Sequence, residues 1–311
     1  VIPADLPGSL SLAMRVPAGV VVGMAPWNAP IILGARAIAT PLACGNTVVL
    51  RGSEACPATH ALIAEAVQKA GVPDGVVNYI SNDPKDAPTV VEALIAHPAT
   101  RRVNFTGSTR IGRIIGGLCA QHLKPAILEL GGKAPLVVLD DADMDCAVNA
   151  ATFGAFVNSG QICMSTERII AKVRALPAGD PRQGRVVLGS LVDMVAVDRC
   201  NAMIADALDK GATLLCGGPS TGTLMPATLL DHVTLEMRVY REEVFGPVRG
   251  IIRVNGDEAA LACANDTAYG LSAAVISTNI ERAMRVARCI QSGICHINSA
   301  TVYDEPQMPF G

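Results

Sequence analysis

Short apolar runs alternate with longer, helix-like stretches along the first half of the chain. Such runs are typical of parallel strands buried on both faces, and the stretches between them carry the start and stop signals of helices. The pattern predicts a right-handed parallel α/β sheet, a type that binds nucleotides at the carboxyl ends of its strands. The predicted strands are 19–24, 47–50, 76–80 and 102–105, and the predicted helices are 30–42, 57–70, 87–96 and one from about 109.

A second α/β unit is predicted for the rest of the chain. Its first strand, 135–139, leads into an Asp-rich turn, 140–143, which can cap a helix over 144–158. The alternation continues through residue 298 and includes a polar, exposed turn at 177–184. Because the chain has 311 residues, it is long enough for two domains with cores of their own.

A long run without a charged residue, Val16 to Ala35, is long enough to suggest a membrane span. Because it contains three prolines, we predict a strand, a loop and a helix instead. No secretory signal is visible at Val1. The net charge of −3 shows no electrostatic footprint for nucleic acid or an anionic membrane. We therefore expect a small-molecule partner, with neither nucleic acid nor a membrane.

Ten cysteines are scattered along the chain without a C-x-x-C pair. This is neither a zinc pattern nor a dense disulfide framework, so we expect no metal site and a cytoplasmic protein with reduced thiols. Most of these cysteines are expected to be small buried hydrophobic residues. Aromatic residues make up only 3% of the chain, so the core must consist mostly of Ala, Val, Ile and Leu.

Two polar segments follow predicted strands of the first unit. The strand at 102–105 runs into Gly107 and Ser108 before a helix begins, so backbone N–H groups and the helix dipole could receive a phosphate there. A purely structural glycine turn explains this segment equally well. Asn28 follows the only tryptophan, Trp27, and its amide could stabilise an oxyanion or cap the next helix.

One cysteine and one glutamate also stand where chemistry is possible. Cys163 lies at the end of a helical pattern, where it could be a nucleophile. The local sequence alone favours a buried structural cysteine. Glu129 ends a predicted strand before two glycines and could be a general base if its pKa is raised. Taken alone, it is more simply an ordinary residue at a strand boundary.

Five motifs occur in order along the chain: Pro26-Trp27-Asn28, Phe105-Thr106-Gly107-Ser108, Glu129-Leu130-Gly131-Gly132, Gly160-Gln161-Ile162-Cys163 and Glu242-Glu243-Val244-Phe245-Gly246-Pro247. In order and spacing they resemble the motifs of the aldehyde dehydrogenase superfamily, and the resemblance covers essentially the whole chain. Segments such as 163–168 and 304–311 resemble most the branch of salicylaldehyde, vanillin and benzaldehyde dehydrogenases. The resemblance implies a Rossmann-like parallel-sheet cofactor domain followed by a second α/β catalytic domain.

By this resemblance, Cys163 adds to the aldehyde carbon and forms a thiohemiacetal and then, after hydride transfer to NAD, a thioester. The Asn28 amide and the Cys163 backbone N–H would hold the oxyanion, and Glu129 would activate water for hydrolysis. Family members that transfer the acyl group to coenzyme A generally lack this glutamate, so the resemblance implies a non-acylating enzyme that releases a carboxylic acid. Apolar Ile162 and Met164 suit an aromatic or aliphatic aldehyde better than an anionic one, unless they merely pack. The local resemblance to the salicylaldehyde branch ranks aromatic aldehydes first.

The resemblance also assigns a site for NAD. Glu54 matches the acid that binds the adenosine ribose, and a carboxylate there repels the 2′-phosphate of NADP. The family usually has Lys where this chain has Arg51, which leaves NADP possible. The other matching cofactor positions are Trp27 and Ser108 near the pyrophosphate, Thr106 and Gly107 near the nicotinamide, Glu243 at the nicotinamide ribose and Phe245 packed nearby.

The resemblance divides the chain into part of an oligomerisation segment, 1–15, an NAD-binding domain, 16–131, and a catalytic domain, 132–311. Both domains are expected to be incomplete, the first at its N-terminus and the second at its C-terminus. The full-length protein is expected to be a homodimer or homotetramer. Between 170 and 172 the family usually has about one further helix, which predicts an internal deletion. The alternatives are a semialdehyde dehydrogenase of the same superfamily and an inactive fragment that keeps only the fold.

Overall fold

The computed structural model describes residues 8–168, 188–305 and 307–310. The predicted polar turn at 177–184 and the predicted deletion between 170 and 172 lie outside the described residues. The chain divides into two compact units, Val1–Leu130 and Gly131–Gly311. Each unit has its own sheet and its own apolar clusters.

The described part of the first unit forms one parallel sheet with helices between its strands. The strands are β1 (Val20–Met24), β2 (Thr47–Arg51), β3 (Val77–Ile80), β4 (Thr100–Thr106) and β5 (Ala126–Glu129), and the helices are α1 (Pro30–Ala43), α2 (Pro57–Lys69), α3 (Ala87–Ala96) and α4 (Thr109–Gln121). The strand order is β3-β2-β1-β4-β5, so the chain leaves β1 towards β2 on one side and later returns to β4 on the other. Such a switch point opens a crevice at the carboxyl ends of the strands.

Apolar packing explains why β1 lies at the centre of this sheet. Its consecutive residues Val21 and Val22 are both buried, and successive side chains of a strand point to opposite faces. A strand covered on both faces reads as a continuous apolar run, which is the pattern that predicted it. One apolar cluster joins β1 and β4 to α3 and α4, and a second joins β2 to α1 and α2.

The predicted strands and helices of this unit are confirmed, with ends that differ by at most two residues. The long uncharged run forms β1, the loop 25–29 and α1, which begins at Pro30. Proline suits the start of a helix because the N–H that it lacks would have no partner there. Among the described residues, no helix combines the length and the apolar composition that a membrane crossing requires.

The described part of the second unit forms a seven-stranded sheet in which one edge strand is antiparallel. The strands are β6 (Ala134–Val138), β7 (Thr166–Arg168), β8 (Thr213–Cys216), β9 (Thr228–Asp231), β10 (Val248–Gly250), β11 (Ser272–Ile276) and β12 (Ile294–Ile297), and the helices are α5 (Met144–Phe156), α6 (Met194–Asp209), α7 (Arg238–Arg241), α8 (Asp257–Asn265) and α9 (Ile280–Ala287). The strand order is β12-β11-β6-β7-β10-β9-β8, with β8 antiparallel to β9. The predicted α/β fold is confirmed, and the sequence did not reveal the antiparallel edge.

Helix α5 leads the chain towards Cys163. Asp143 caps its start by accepting two backbone N–H groups of the first turn, at 2.9 and 3.1 Å, as the Asp-rich turn predicts. The helix ends at Phe156, two residues before the predicted end, because Asn158 and Ser159 adopt φ of 52° and 55°. These left-handed conformations cannot continue a right-handed helix. The chain therefore turns sharply before it reaches the thiol.

Candidate active site

The candidate residues of the first unit lie where its strands end. They are Trp27 and Asn28 after β1, Arg51 at the end of β2 with Glu54 beyond it, Thr106 at the end of β4 with Gly107 and Ser108 beyond it, and Glu129 at the end of β5. Since carboxyl ends of parallel strands share one edge of a sheet, this is the edge where α/β sheets bind nucleotides. The topology thus gathers side chains that are far apart in sequence.

The end of β4 lies directly beside the end of β5. Thr106 is the register partner of Glu129, and the Gly107 N–H donates to the Glu129 carbonyl oxygen at 3.0 Å. A Cβ at Gly107 would lie 2.6 Å from the Phe105 ring, so the position has no room for a side chain. Packing against this ring therefore explains the glycine at position 107.

Glu129 has the electrostatic setting that a general base requires. It is half-buried at the strand end, and burial raises the pKa of its carboxyl group, while the positive charge of Arg36 opposes that rise. A carboxylate is a better base when its pKa moves towards neutrality. The sequence expectation that this glutamate sits at a strand end before a glycine turn is confirmed.

Ser108 is the N-cap of α4. Its hydroxyl oxygen accepts a hydrogen bond from the Ile111 N–H at 3.4 Å, so the segment has a structural role. The first turn of α4 has no acidic residue, and the positive end of the helix dipole is therefore not neutralised from within. An exposed helix N-terminus of this kind suits a phosphate, so both interpretations of the segment remain compatible with the structure.

Arg51 and Glu54 contact each other. The Arg51 Nη2 donates to the Glu54 Oε2 at 3.0 Å, and the Arg51 Nε donates to the Asn82 side-chain oxygen at 3.0 Å. The guanidinium is therefore held from two sides. The acid and the base that the resemblance places at the adenosine ribose form one ion pair beside the end of β2.

Trp27 and Asn28 are half-buried in the loop between β1 and α1. The N-cap of α1 is Ala29, so Asn28 does not occupy the capping position that was one of its two interpretations. This loop follows the central strand at the switch point of the sheet. The position of Asn28 is compatible with its other interpretation, an amide that stabilises an oxyanion.

Cys163 is half-buried in the turn that precedes β7. The Gln161 side chain holds this turn: its Nε2 donates to the Ser190 carbonyl oxygen at 3.3 Å, and its Oε1 accepts from the Val192 N–H at 3.0 Å. A Cβ at Gly132 would lie 1.9 Å from the Cys163 carbonyl oxygen, so only glycine fits there. The alternative of a fully buried structural cysteine is wrong for Cys163.

Glu243 lies against the same pair of glycines. Its Oε1 accepts the Gly132 N–H at 2.9 Å, and a Cβ at Gly131 would lie 2.4 Å from its Oε2. Burial raises the pKa of Glu243 to about 7, although its hydrogen bond with Gly132 opposes the rise. Phe245, two residues on, has φ of 50°, a rare conformation for a bulky residue.

An exposed pair of aromatic rings lies on the second unit. Phe153 on α5 and Tyr303 beyond β12 stack with centroids 5.5 Å apart and an interplanar angle of 24°. The Tyr303 segment is tied to the thiol segment, because the Thr301 hydroxyl donates to the Met164 carbonyl oxygen at 2.6 Å. This pair could not be predicted from the sequence, since its two residues are far apart in the chain.

Three charged residues of the second unit, Lys133, Glu167 and Arg249, are buried and were not predicted as site residues. A charged residue in an otherwise apolar strand segment was the only available signal. The candidate residues divide between the units, with Asn28 and Glu129 in the first and Cys163 in the second. Among the described residues, no cluster of three or more His, Cys, Asp or Glu side chains could hold a metal ion.

A nucleotide-type parallel sheet followed by a second α/β unit is the architecture that the resemblance to a dehydrogenase family implies. The model of the aldehyde dehydrogenase family matches residues 1–311, and the chain belongs to this family. The resemblance inferred from the five motifs and the predicted aldehyde dehydrogenase fold are confirmed.

Among curated relatives, a vanillin dehydrogenase from Pseudomonas sp. (strain HR199 / DSM 7063) is 60% identical over 324 residues, which cover 100% of this chain and 67% of the relative. A solved salicylaldehyde dehydrogenase from Pseudomonas putida G7, complexed with salicylaldehyde, superposes with a TM-score of 0.96 at 49% identity, covering 100% of this chain and 67% of that one. A solved Mycobacterium tuberculosis aldehyde dehydrogenase complexed with NAD+ superposes with a TM-score of 0.89 at 33% identity, covering 95% of this chain and 64% of that one.

The chain spans about two thirds of the length of the curated relatives that it matches. The match of 324 positions is longer than the 311 residues of this chain, so the vanillin dehydrogenase has residues inside the matched region that this chain lacks. This difference agrees with an internal deletion, and its predicted place lies outside the described residues.

Proposed function

We propose that the protein oxidises an aromatic aldehyde to the carboxylic acid, with Cys163 as nucleophile and NAD as the hydride acceptor. The observation that carries the proposal is the Gly131–Gly132 junction of a confirmed family member. There the Cys163 carbonyl and the Glu243 carboxylate both contact one glycine backbone. The proposed nucleophile and the proposed ribose-binding acid are therefore held together by a backbone that has no room for side chains.

The residues at the strand ends of the first unit fit a dinucleotide. The N-terminus of α4 lacks acidic residues, and the Arg51–Glu54 pair offers both charges to a ribose. Anions bind favourably at such helix starts. When bound, the nicotinamide ring supplies a hydride acceptor. Glu54 supports a preference for NAD, since its carboxylate disfavours a 2′-phosphate.

In the proposed reaction, the Cys163 sulfur bonds to the aldehyde carbon, and the carbonyl oxygen becomes an oxyanion. The Asn28 amide and the Cys163 backbone N–H stabilise that charge; removing one such donor typically costs about 3 kcal/mol. Loss of the hydride from the thiohemiacetal leaves a thioester. Glu129 then takes a proton from water, which attacks the thioester carbon, and the acid leaves as the Cys163 sulfur is released.

The stacked rings of Phe153 and Tyr303 support an aromatic substrate. Both side chains are about half exposed, at 45% and 47%, although the chain has few aromatic residues. Aromatic rings favour offset or edge contacts with further rings. A semialdehyde, which carries a second carboxylate, gains less from such a surface. The names of the vanillin and salicylaldehyde dehydrogenases above support the same substrate class.

The assignment of the nucleophile is tested by replacing Cys163 with Ser. NADH formation from benzaldehyde, followed by absorbance, should fall by at least ~10³-fold, because an alkoxide forms far less readily than a thiolate. Cys289→Ser, an exposed thiol of the same unit, is the matched control and should retain activity. Robust turnover by the Cys163→Ser variant would disprove the nucleophile.

A comparison of benzaldehyde with succinic semialdehyde tests the substrate class. Faster turnover of the semialdehyde would favour the alternative enzyme of the same superfamily. A protein that keeps only the fold would form no NADH from either aldehyde and would gain no thermal stability from NAD, since a ligand that binds only the native state must raise stability.

We further propose that the full-length protein is cytoplasmic and forms a homodimer or homotetramer. None of the ten cysteines, all of which lie among the described residues, is in a disulfide, as is typical of a reducing compartment. The proposed assembly rests on the resemblance of residues 1–15 to an oligomerisation segment, of which residues 1–7 lie outside the described structure.

A further inference from the structure

Three charged side chains of the second unit are almost fully buried and have no part in the proposed chemistry. Lys133, Glu167 and Arg249 have side-chain exposures of 0%, 2% and 0%. Removing charges from water is costly unless each finds close partners, and well-packed apolar residues often serve stability better. Their partners therefore indicate what these charges do.

Glu167 joins the strand that follows the nucleophile to the segment 242–246. Its carboxylate accepts a hydrogen bond from the Lys133 ammonium group. It also accepts the Val244 N–H, at 3.0 Å to Oε1 and 3.2 Å to Oε2, and the Phe245 N–H at 3.4 Å. Glu167 lies four positions after Cys163 in the sequence.

The partners of Glu167 are neighbours of a second contact. Lys133 follows Gly132, and Val244 follows Glu243, while the Gly132 N–H donates to the Glu243 carboxylate at 2.9 Å. The segments 132–133 and 243–244 are therefore connected twice. Glu167 bridges Lys133 to Val244, and the Glu243 carboxylate binds the Gly132 N–H directly. A shift of the 242–246 segment would break both connections.

The carbonyl groups of the same segment are held by cations. Arg199 donates from Nε to the Val244 oxygen at 3.1 Å and from Nη2 to the Phe245 oxygen at 3.3 Å. Arg249 donates from Nη1 to the Gly246 oxygen at 2.7 Å. The segment belongs to neither a helix nor a strand, and its Phe245 has a left-handed φ, so side chains must supply the restraint.

We infer that Glu167, paired with Lys133, is a positioning residue that holds the 242–246 segment so that Glu243 keeps its place for the nicotinamide ribose. The inference rests on the proposed role of Glu243 in cofactor binding. Glu167 has no contact with the cofactor in this assignment and acts through Val244 and Phe245. An amide at position 167 would meet the Lys133 ammonium with a donor group and leave that charge buried without its partner.

Binding of NADH and of ADP by the full chain, measured by calorimetry, tests the inference. ADP has the adenosine ribose and lacks the nicotinamide ribose. Glu167→Gln should weaken NADH binding about tenfold and leave ADP binding within about twofold, because only one ribose loses its contact. The matched control is Asp231→Asn, which removes another buried acid of this unit, paired with Arg253 at 2.6 Å. The control should change neither affinity.

A double variant, Lys133→Met with Glu167→Leu, guards against a variant that fails to fold. It removes both buried charges, and buried ion pairs are often replaced by apolar residues without loss of stability. It still lacks the acceptor for the Val244 and Phe245 N–H groups, so the selective loss of NADH affinity should persist.

The possible results separate the inference from the proposed function. Unchanged NADH binding in both variants would overturn the inference, and so would equal weakening of NADH and ADP, which would show a general loss of structure. If the unmodified protein binds neither nucleotide, the proposed function fails, and the inference fails with it.

Discussion

Arg51 and Glu54 form an ion pair at the position proposed for the adenosine ribose. The guanidinium lies 3.0 Å from the carboxylate and is also held by Asn82, so its charge is used within the protein. In the proposed site, a 2′-phosphate would meet a carboxylate and a guanidinium that is already paired. The sequence could assign both residues by resemblance, and only the structure showed that they contact each other.

Replacing Glu54 with Gln should move cofactor choice towards NADP. The change removes a repulsive charge and frees Arg51 to bind the phosphate, so the ratio of kcat/KM for NADP to that for NAD should rise about tenfold or more. Steady-state rates with both cofactors measure this ratio. Glu65→Gln removes an acid paired with Lys69 on α2 and should leave the ratio unchanged. An unaltered ratio in Glu54→Gln would refute the assigned contact with the adenosine ribose.

At the scale of elements, the alternation of apolar runs predicted the first unit almost completely. Local periodicity and turn residues determine β1 to β4 and α1 to α4, so a single sequence contains the required information. The pairing of Lys133 with Glu167 could not be predicted in this way. It depends on the register of β6 with β7, in which Ala134 lies opposite Thr166. That register is a tertiary feature, set by packing across the sheet.

Helix α5 carries one half of the proposed aromatic surface, and this placement can be tested. Replacing Phe153 with Leu removes the ring and keeps an apolar side chain, so kcat/KM for benzaldehyde should fall about threefold to tenfold relative to an aliphatic aldehyde such as hexanal. Steady-state rates with the two aldehydes check this. Met144→Leu, at an exposed position near the start of the same helix, serves as the control. Equal losses for both aldehydes would exclude a specific aromatic contact.

At the scale of the whole molecule, buried carboxyl groups make the free energy of unfolding depend on pH. Burial raises the pKa of Glu243 to about 7 from an ordinary value near 4.5. The folded protein therefore binds this proton more tightly than the unfolded chain does. The resulting stabilisation is complete below pH ~4.5, the ordinary value, and is lost as the pH rises through about 7.

The variant Glu243→Gln should therefore gain stability relative to the unmodified protein as the pH rises from 5 to 8. The pKa shift of Glu243 corresponds to a change approaching ~3 kcal/mol in the difference between the unfolding free energies of the variant and the unmodified protein. Urea denaturation at several pH values measures this difference. Glu242→Gln is the neighbouring control. A hydrogen bond with Arg238 lowers the pKa of Glu242, so Glu242 affects the pH dependence of stability only at acidic pH. The stability curves of Glu242→Gln and of the unmodified protein should therefore stay parallel above pH ~5. Parallel curves for Glu243→Gln would contradict a raised pKa.

The two left-handed residues Asn158 and Ser159 separate the direction of α5 from the direction of the thiol turn. Since the helix stops before this break, we expect substitutions on its solvent side to alter the proposed aromatic surface and to leave the course of the chain at Cys163 unchanged.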